Sequence, residues 1–362
     1  MNKIALATRA SSGIGEATAL RLTEQKPLIS GFGPKTTAEE ALAGRDLRGK
    51  VAIVTGGHAG LGFETTRVFS NAGATVVIGS RDPRKAQMAV AKMKNVEVGQ
   101  LDLASPDSVD RFANEFLNSN RALDLLINNA GILATPLMRD TRGYEMQFAT
   151  NHLGHFQLTA RLWEALKKSR NARVVTLSSC GHARGDVDLS DPNFDKRPYD
   201  KLAAYGQSKT ANSLFAVELD KRGQERRIRA FAVHPGRVLT DLNRYMTEDE
   251  VNDALDIYRE NGVAKISDLT KAPVPFKSIE QGAATTVWCA VSPQLNGKGG
   301  VYCEDCDIAP MVPADSKLNS GVRPWAVDKA AAKALWILSE KLTSLRQRGA
   351  PTGSVTYSEN KQ

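Results

Sequence analysis

The sequence predicts an α/β fold, in which a doubly wound parallel sheet carries helices on both faces. Two observations indicate it. From Lys50 onward, short apolar runs rich in β-branched residues alternate with stretches of helical length, and the first run enters a glycine-rich turn. Strands that alternate with helices pair in parallel and are covered on both faces. The ligand site of such a fold lies at the carboxyl ends of the strands.

The predicted elements follow one another along residues 50–233. Strands are predicted over 51–54, 74–79, 95–101, 123–127, 173–177 and 228–233, and helices over 60–71, from 83, from 105, over 142–168 and over 201–222. The helix near residue 105 has a clear start. Pro106 needs no N–H in the first turn, Ser105 precedes it, and Asp107 suits a helix N-terminus.

The strongest local motif is the octapeptide TGGHAGLG at residues 55–62, between a strand and a helix. Gly56 permits a tight turn, Gly60 lets the backbone approach a pyrophosphate, and Gly62 lets the helix pack closely. The free N–H groups of the helix N-terminus then face the phosphates. The motif predicts a dinucleotide site formed by Gly56, His58, Gly60, Leu61 and Gly62.

The end of the second predicted strand indicates which dinucleotide binds. An enzyme that uses NAD places a carboxylate there, on the ribose 2′-hydroxyl. This chain has Ser80 at that position, followed by Arg81. Because an arginine can form a fork onto a 2′-phosphate, the pair predicts NADP(H). Arg84 and Lys85 add positive charge or are simply a solvated helix start.

Tyr205 and Lys209 lie four residues apart on one helix face. A free phenol is a weak base at neutral pH. The lysine charge, with the positive ring of an oxidised nicotinamide, is expected to lower its pKa, so that Tyr205 exchanges a proton with a reacting oxygen. Ser179, at the end of a strand, is expected to hold that oxygen; Ser178 is the alternative.

Composition excludes several other functions. The formal charge is +8 and the pI about 9.3, but basic residues are mixed with acids, and even the densest cluster, 221–229, contains Glu225. No nucleic-acid partner is therefore expected. Cys303 and Cys306 lack the further ligands of a metal site, and four scattered cysteines suit reduced thiols in a cytoplasmic protein. No long apolar run indicates a membrane partner.

Together these residues resemble the short-chain dehydrogenase/reductase family over residues 47–310. The resemblance implies a single Rossmann-type domain and a role for each matching residue. Asp102 and Leu103 resemble the adenine contact, Asn129-Ala130-Gly131 the segment beside the ribose, and Asn151 the asparagine that holds a water in a proton relay. Ser179, Tyr205 and Lys209 complete the implied catalytic set. Pro235, Gly236 and Thr240 resemble the loop at the nicotinamide.

The segment Asn-His-Leu-Gly-His-Phe at 151–156, the long gap from Ser179 to Tyr205 and AVHPG at 232–236 resemble the retinol-dehydrogenase-like branch. Residues 30–49 resemble the lead-in of its bacterial members. The membrane anchor of the vertebrate enzymes has no counterpart at the N-terminus, which argues against retinoids as substrates. His152, His155 and His234 are expected to be packed rather than catalytic.

We predict a catalytic domain at residues 46–310 between an N-terminal arm, 1–45, and a C-terminal extension, 311–362. Residues 3–22 look like a second dinucleotide-binding opening, but Arg9 occupies the position of the first glycine, so we interpret them as vestigial. Residues 242–277 are predicted to be a substrate lid or, equally, a surface insertion.

The predicted activity is reversible hydride transfer between NADPH and a ketone or aldehyde, with the corresponding alcohol as product. Leu133, Leu137, Met138, Leu242 and Tyr245 indicate an apolar substrate, although core packing explains them equally well. A homodimer through the helix that carries Tyr205 is a further expectation. The alternatives are a non-catalytic NADP(H) sensor on the same fold, reduction of a C=C bond, and epimerisation.

Overall fold

The computed structural model describes residues 25–246 and 276–345. The predicted second opening at 3–22, most of the predicted lid and the tail from residue 346 lie outside the described residues. Within the described residues, no helix is both long and apolar enough to cross a membrane.

The doubly wound parallel sheet is confirmed. Its eight strands are β1 (Val51–Thr55), β2 (Thr75–Ser80), β3 (Val96–Gln100), β4 (Leu125–Asn128), β5 (Ala172–Leu177), β6 (Ile228–His234), β7 (Val301–Glu304) and β8 (Asp307–Ile308). Their order is β3-β2-β1-β4-β5-β6-β7-β8, parallel except at the β7–β8 pair. The connections change direction between β1 and β4, so a crevice opens at the carboxyl ends of these strands.

Helices cover both faces of the sheet and enclose two apolar cores. Their bounds are α1 (Ala38–Leu42), α2 (Gly60–Asn71), α3 (Pro83–Ala89), α4 (Pro106–Asn118), α5 (Met146–Phe148), α6 (Gly154–Arg161), α7 (Trp163–Lys168), α8 (Lys201–Gly223), α9 (Ile279–Val291) and α10 (Lys329–Leu342). The predicted helix start near residue 105 is confirmed, since the Ser105 hydroxyl accepts the backbone N–H of Ser108.

The prediction of one continuous helix over 142–168 is wrong. Before α5, the Asp140 carboxylate accepts the backbone N–H groups of Arg142 and Tyr144 and so closes a turn. A π-helix, Ala149–Leu153, then separates α5 from α6. The wider π turn occurs where the Asn151 amide hydrogen-bonds both backbone polar groups of Ile132.

The described parts of both flanking segments pack against the sheet domain. The Gln25 amide donates to the carbonyls of Tyr302 and Ala309, and α1 packs on α9. At the other end, α10 lies along α8, where the Trp336 ring stacks on Phe215 at 5.9 Å between centroids. The proposed boundaries at residues 45 and 310 stay predictions.

Candidate active site

A cavity of about 660 Å³ opens at the carboxyl ends of the central strands. It brings together most of the predicted site residues, which come from six separate segments of the chain. They are Gly56, His58, Gly60, Leu61, Arg81, Asp102, Leu103, Asn129, Ala130, Gly131, Tyr205, Lys209 and Thr240. The other predicted residues do not line it: Gly62, Asn151, Ser179, Pro235 and Gly236.

The glycine-rich turn has the conformation that its sequence predicts. Gly56 and Gly60 have φ of +66° and +52°, values that side-chain-bearing residues rarely adopt. A Cβ on Gly62 would lie 3.0 Å from the Gly56 carbonyl carbon and closer still to its oxygen. Gly62 therefore supports the turn from behind. At the start of α2, Ala59 provides no side-chain cap, so the first N–H groups are left for an anion.

Thr55, the first residue of the motif, has a role that the sequence did not indicate. Its hydroxyl oxygen accepts the backbone N–H groups of both Asn129 and Ala130, each at 2.9 Å. The Asn129 side-chain amide donates in turn to the Thr55 carbonyl. These bonds join the ends of β1 and β4 and thereby fix the floor of the cavity. The sequence feature that could have indicated this role is a threonine at the end of a buried strand.

Positive charge surrounds the cavity at the end of β2. Arg81 is exposed and lines the cavity with Lys85, whereas Arg84 does not line it. The Ser80 hydroxyl bonds to the backbone of Asp82 and presents no carboxylate. Burial, followed by the charge of Lys85, lowers the pKa of His58 below its ordinary value. Arg81 and Lys85 therefore make this end of the cavity suited to an anionic group.

Helix α8 places Tyr205 and Lys209 side by side. Asp200 caps its start by accepting the backbone N–H groups of Leu202 and Ala203. Tyr205 and Lys209 are both buried, and the Lys209 ammonium lies 5.6 Å from the centre of the Tyr205 ring. The same ammonium donates to the Leu177 carbonyl at 2.9 Å. The spacing of four residues therefore brings the two groups together, as predicted.

The protein alone raises the pKa of Tyr205 instead of lowering it. Burial is the main cause, and a hydrogen bond with Ser179 opposes it. Burial also lowers the pKa of Lys209 to about 8. Lys209 is not among the groups that shift the pKa of Tyr205 in the protein alone. Tyr205 is consequently protonated at neutral pH and able to donate a proton.

The two serines after β5 have different partners. The Ser178 hydroxyl donates to the Lys209 carbonyl at 2.8 Å and accepts from the Ser213 hydroxyl. It is therefore engaged by α8. The Ser179 hydroxyl accepts the N–H of Gly181 at 3.1 Å and interacts with Tyr205. Of the two, Ser179 is the one whose hydroxyl faces the phenol.

Asn151 lies behind the cavity. Its side-chain amide donates to the Ile132 carbonyl and to the Ser208 hydroxyl. The backbone carbonyl oxygen of Asn151 lies 2.9 Å from Nδ1 of His155. Burial lowers the pKa of His155 to about 4, and the pKa values of His152 and His234 to about 3. All three imidazoles are neutral at physiological pH and packed in the interior.

Known proteins agree with this fold. Residues 50–251 match the family described as short chain dehydrogenase. A Streptomyces lividans protein described as "Probable oxidoreductase" is 43% identical over 298 residues, which are 80% of this chain and 96% of that one. Retinol dehydrogenase 12 of Mus musculus is 38% identical over 305 residues, 82% of this chain and 87% of that one.

A crystal structure of an uncharacterized protein from Mycobacterium paratuberculosis shares a TM-score of 0.63 and 34% identity, covering 83% of this chain and 95% of that chain. The fold and the crevice define a Rossmann-type oxidoreductase that binds a nicotinamide dinucleotide. More narrowly, the chain belongs to the short-chain dehydrogenase/reductase family and to its retinol-dehydrogenase-like branch.

Proposed function

We propose that the protein is an NADP(H)-dependent enzyme that interconverts a ketone or aldehyde and its alcohol. The observation that carries this proposal is the position of the Tyr205 phenol, protonated and paired with Ser179, in the same cavity as the glycine-rich turn. In reduction, a hydride adds to the carbonyl carbon and a proton adds to the carbonyl oxygen. The site thus has a proton donor next to the place for a dinucleotide.

Bound NADPH supplies the hydride, and the protein supplies position and charge. The Ser179 hydroxyl holds the carbonyl oxygen against the phenol, which donates its proton to it. Lys209 stabilises the negative charge left on Tyr205 as the proton departs. Asn151 fixes Ile132 and, through Ser208, the turn of α8 that begins at the Tyr205 carbonyl. Holding the water of a proton relay is the role we propose for it.

We assign the cofactor as NADP(H) because Arg81 and Lys85 border the cavity where an NAD enzyme carries a carboxylate. The glycine-rich turn, Asp102, Leu103 and the segment from Asn129 to Gly131 would hold the rest of the dinucleotide, with Pro235, Gly236 and Thr240 at the nicotinamide end.

The proposed substrate is a small apolar carbonyl compound or alcohol. Leu239, Leu242 and Ile279 line the cavity, and Leu137 and Met138 are exposed. The lid role of residues 242–277 stays a proposal, as does a cytoplasmic location. A homodimer also stays a proposal. Residues 204–220 of α8 are all buried within one chain, so the dimer contacts would have to come from other residues.

The test follows NADPH and NADH absorbance with aldehydes, bulky ketones and alcohols, using Tyr205→Phe as the control. Turnover with NADPH that the variant lacks would support the proposal. Tight NADPH binding without turnover of any compound would favour the sensor alternative. Oxidation of NADPH with the carbonyl group of an unsaturated substrate retained would instead indicate reduction of a C=C bond.

A further inference from the structure

His182 is a buried imidazole directly behind Ser179. It is 1% exposed, and its Nδ1 lies 2.7 Å from the Ser179 carbonyl oxygen. The hydroxyl of Tyr302, from β7, lies 3.2 Å from the same nitrogen. On the other side of the ring, Nε2 accepts the backbone N–H of Arg323 at 3.1 Å. Both ring nitrogens are therefore occupied by groups from distant parts of the chain.

The partners of His182 determine its tautomer. A backbone N–H can only donate, so Nε2 must be the unprotonated nitrogen. A backbone carbonyl can only accept, so Nδ1 carries the proton that bonds to Ser179. Burial lowers the pKa of this imidazole to about 4, which keeps it neutral and consistent with one proton on the ring.

The segment around Arg323 holds this histidine at a second point. The indole N–H of Trp325 donates to the His182 carbonyl at 3.0 Å. The Arg323 guanidinium in turn donates to the carbonyls of Ser316 and Leu318, which closes the segment on itself. Residues 316–325 thus form a clasp over the turn that follows β5; we call them the C-terminal clasp.

We propose that His182 is a positioning residue of the proposed reaction. The backbone N–H of Arg323 selects the tautomer of His182 that is protonated on Nδ1, and this Nδ1–H holds the backbone of Ser179 in place for Tyr205. The C-terminal clasp is accordingly part of the active-site scaffold, although it makes no contact with the reacting groups. The catalytic consequence rests on the proposed carbonyl chemistry, whereas the tautomer does not.

The matched test pair is Arg323→Pro and Arg323→Ala in the full chain. Arg323 has φ of −77° and ψ of 146°, which suit proline, although the proline Cδ would stand in place of the amide hydrogen that bonds Nε2 of His182 and would displace the ring. The proline variant lacks both the side chain and the N–H, whereas the alanine variant lacks only the side chain. We expect kcat with NADPH to fall about 10-fold more in Arg323→Pro than in Arg323→Ala, as one lost hydrogen bond to the positioning group predicts. The Kd for NADPH should agree within about twofold in both.

A second pair of variants tests the proposal even if Arg323→Pro fails to fold. His182→Asn keeps an N–H donor near the Nδ1 position, whereas His182→Gln keeps a polar group only near the Nε2 position. We expect His182→Asn to retain the larger kcat of the two. Equal kcat values within each pair, with folding shown by circular dichroism, would overturn the positioning role.

The tautomer is measured without any substrate. In protein labelled with ¹⁵N-histidine, the nitrogen shifts and long-range couplings of His182, assigned by its loss in His182→Asn, should show a neutral ring protonated on Nδ1. A proton on Nε2 would overturn the proposal even if the enzyme is active. If the wild-type protein reduces no carbonyl compound, the proposed function fails while the tautomer result stands, so the two failures are distinguishable.

Discussion

Replacing Lys209 by methionine should stabilise the protein while it abolishes activity. The Lys209 ammonium is 4% exposed and donates to the Leu177 carbonyl. Burial lowers its pKa from 10.5 to about 8. That difference corresponds to about 3 kcal/mol of folding free energy spent on holding the charged form in the interior at pH 7. Methionine fills a similar volume without a charge.

The loss of one hydrogen bond offsets part of this gain. The Leu177 carbonyl keeps a partner, because the Asn212 amide also donates to it at 2.9 Å. We therefore expect Lys209→Met to raise the free energy of unfolding by about 2 kcal/mol at pH 7. The Tm should rise by roughly 3 °C. Turnover should fall at least about 100-fold, because the protein's own cation beside the phenolate of Tyr205 is then lost.

The pH dependence separates this explanation from improved packing. The folded pKa of Lys209 lies below the unfolded value, so the penalty is complete below about pH 8 and disappears as the pH rises to 10.5. The advantage of Lys209→Met in urea unfolding should shrink over that range. Lys333→Met, at an exposed position of α10, is the control and should change stability by less than about 0.5 kcal/mol. A less stable Lys209→Met at pH 7, or an advantage that persists at pH 10, would refute the reasoning.

Three other changes test the cofactor site and the packing. Arg81→Ala should raise the KM for NADPH by about 10- to 100-fold and leave the KM for NADH unchanged. Arg84→Ala, at a residue that does not line the cavity, should alter neither KM. Equal effects of the two substitutions would contradict the assignment of NADP(H). Gly62→Ala should weaken dinucleotide binding in calorimetry, because its Cβ meets the Gly56 backbone, and Gly33→Ala, with open space around it, should not. Trp336→Ala should destabilise the protein by about 2–3 kcal/mol in urea, since it leaves the rings of Phe156 and Phe215 uncovered, while the exposed Ile337→Ala stays near wild type.

Local signals predicted the parts of the fold that local physics controls. The helix over residues 60–71 has the predicted ends, because the glycine turn before it and the Ala72-Gly73 turn after it are encoded in adjacent residues. Tyr205 and Lys209 met for the same reason, since the helical repeat alone sets their spacing. The crevice followed from the alternation of strands and helices, which leaves few topologies available.

Contacts between distant residues account for what the sequence could not predict. The π turn at Asn151 depends on Ile132, 19 positions earlier, and the tautomer of His182 depends on Arg323, 141 positions later. Such hydrogen bonds leave no periodic pattern in the chain. The burial of Tyr205, which raises its pKa in the protein alone, is likewise produced by the assembled fold, and the lowering expected from Lys209 with an oxidised nicotinamide stays a prediction.

Burial disfavours the charged form of both Tyr205 and Lys209. It raises the pKa of the phenol and lowers that of the ammonium to about 8, so in the protein alone both groups keep their protons at pH 7. A negative charge on Tyr205 then needs positive charge beside it, which in the proposed reaction comes from Lys209 and from a dinucleotide in its oxidised form. Proton donation during reduction creates the phenolate when that positive charge appears beside it. In the proposed reaction, this burial would keep Tyr205 protonated until the cofactor is oxidised beside it.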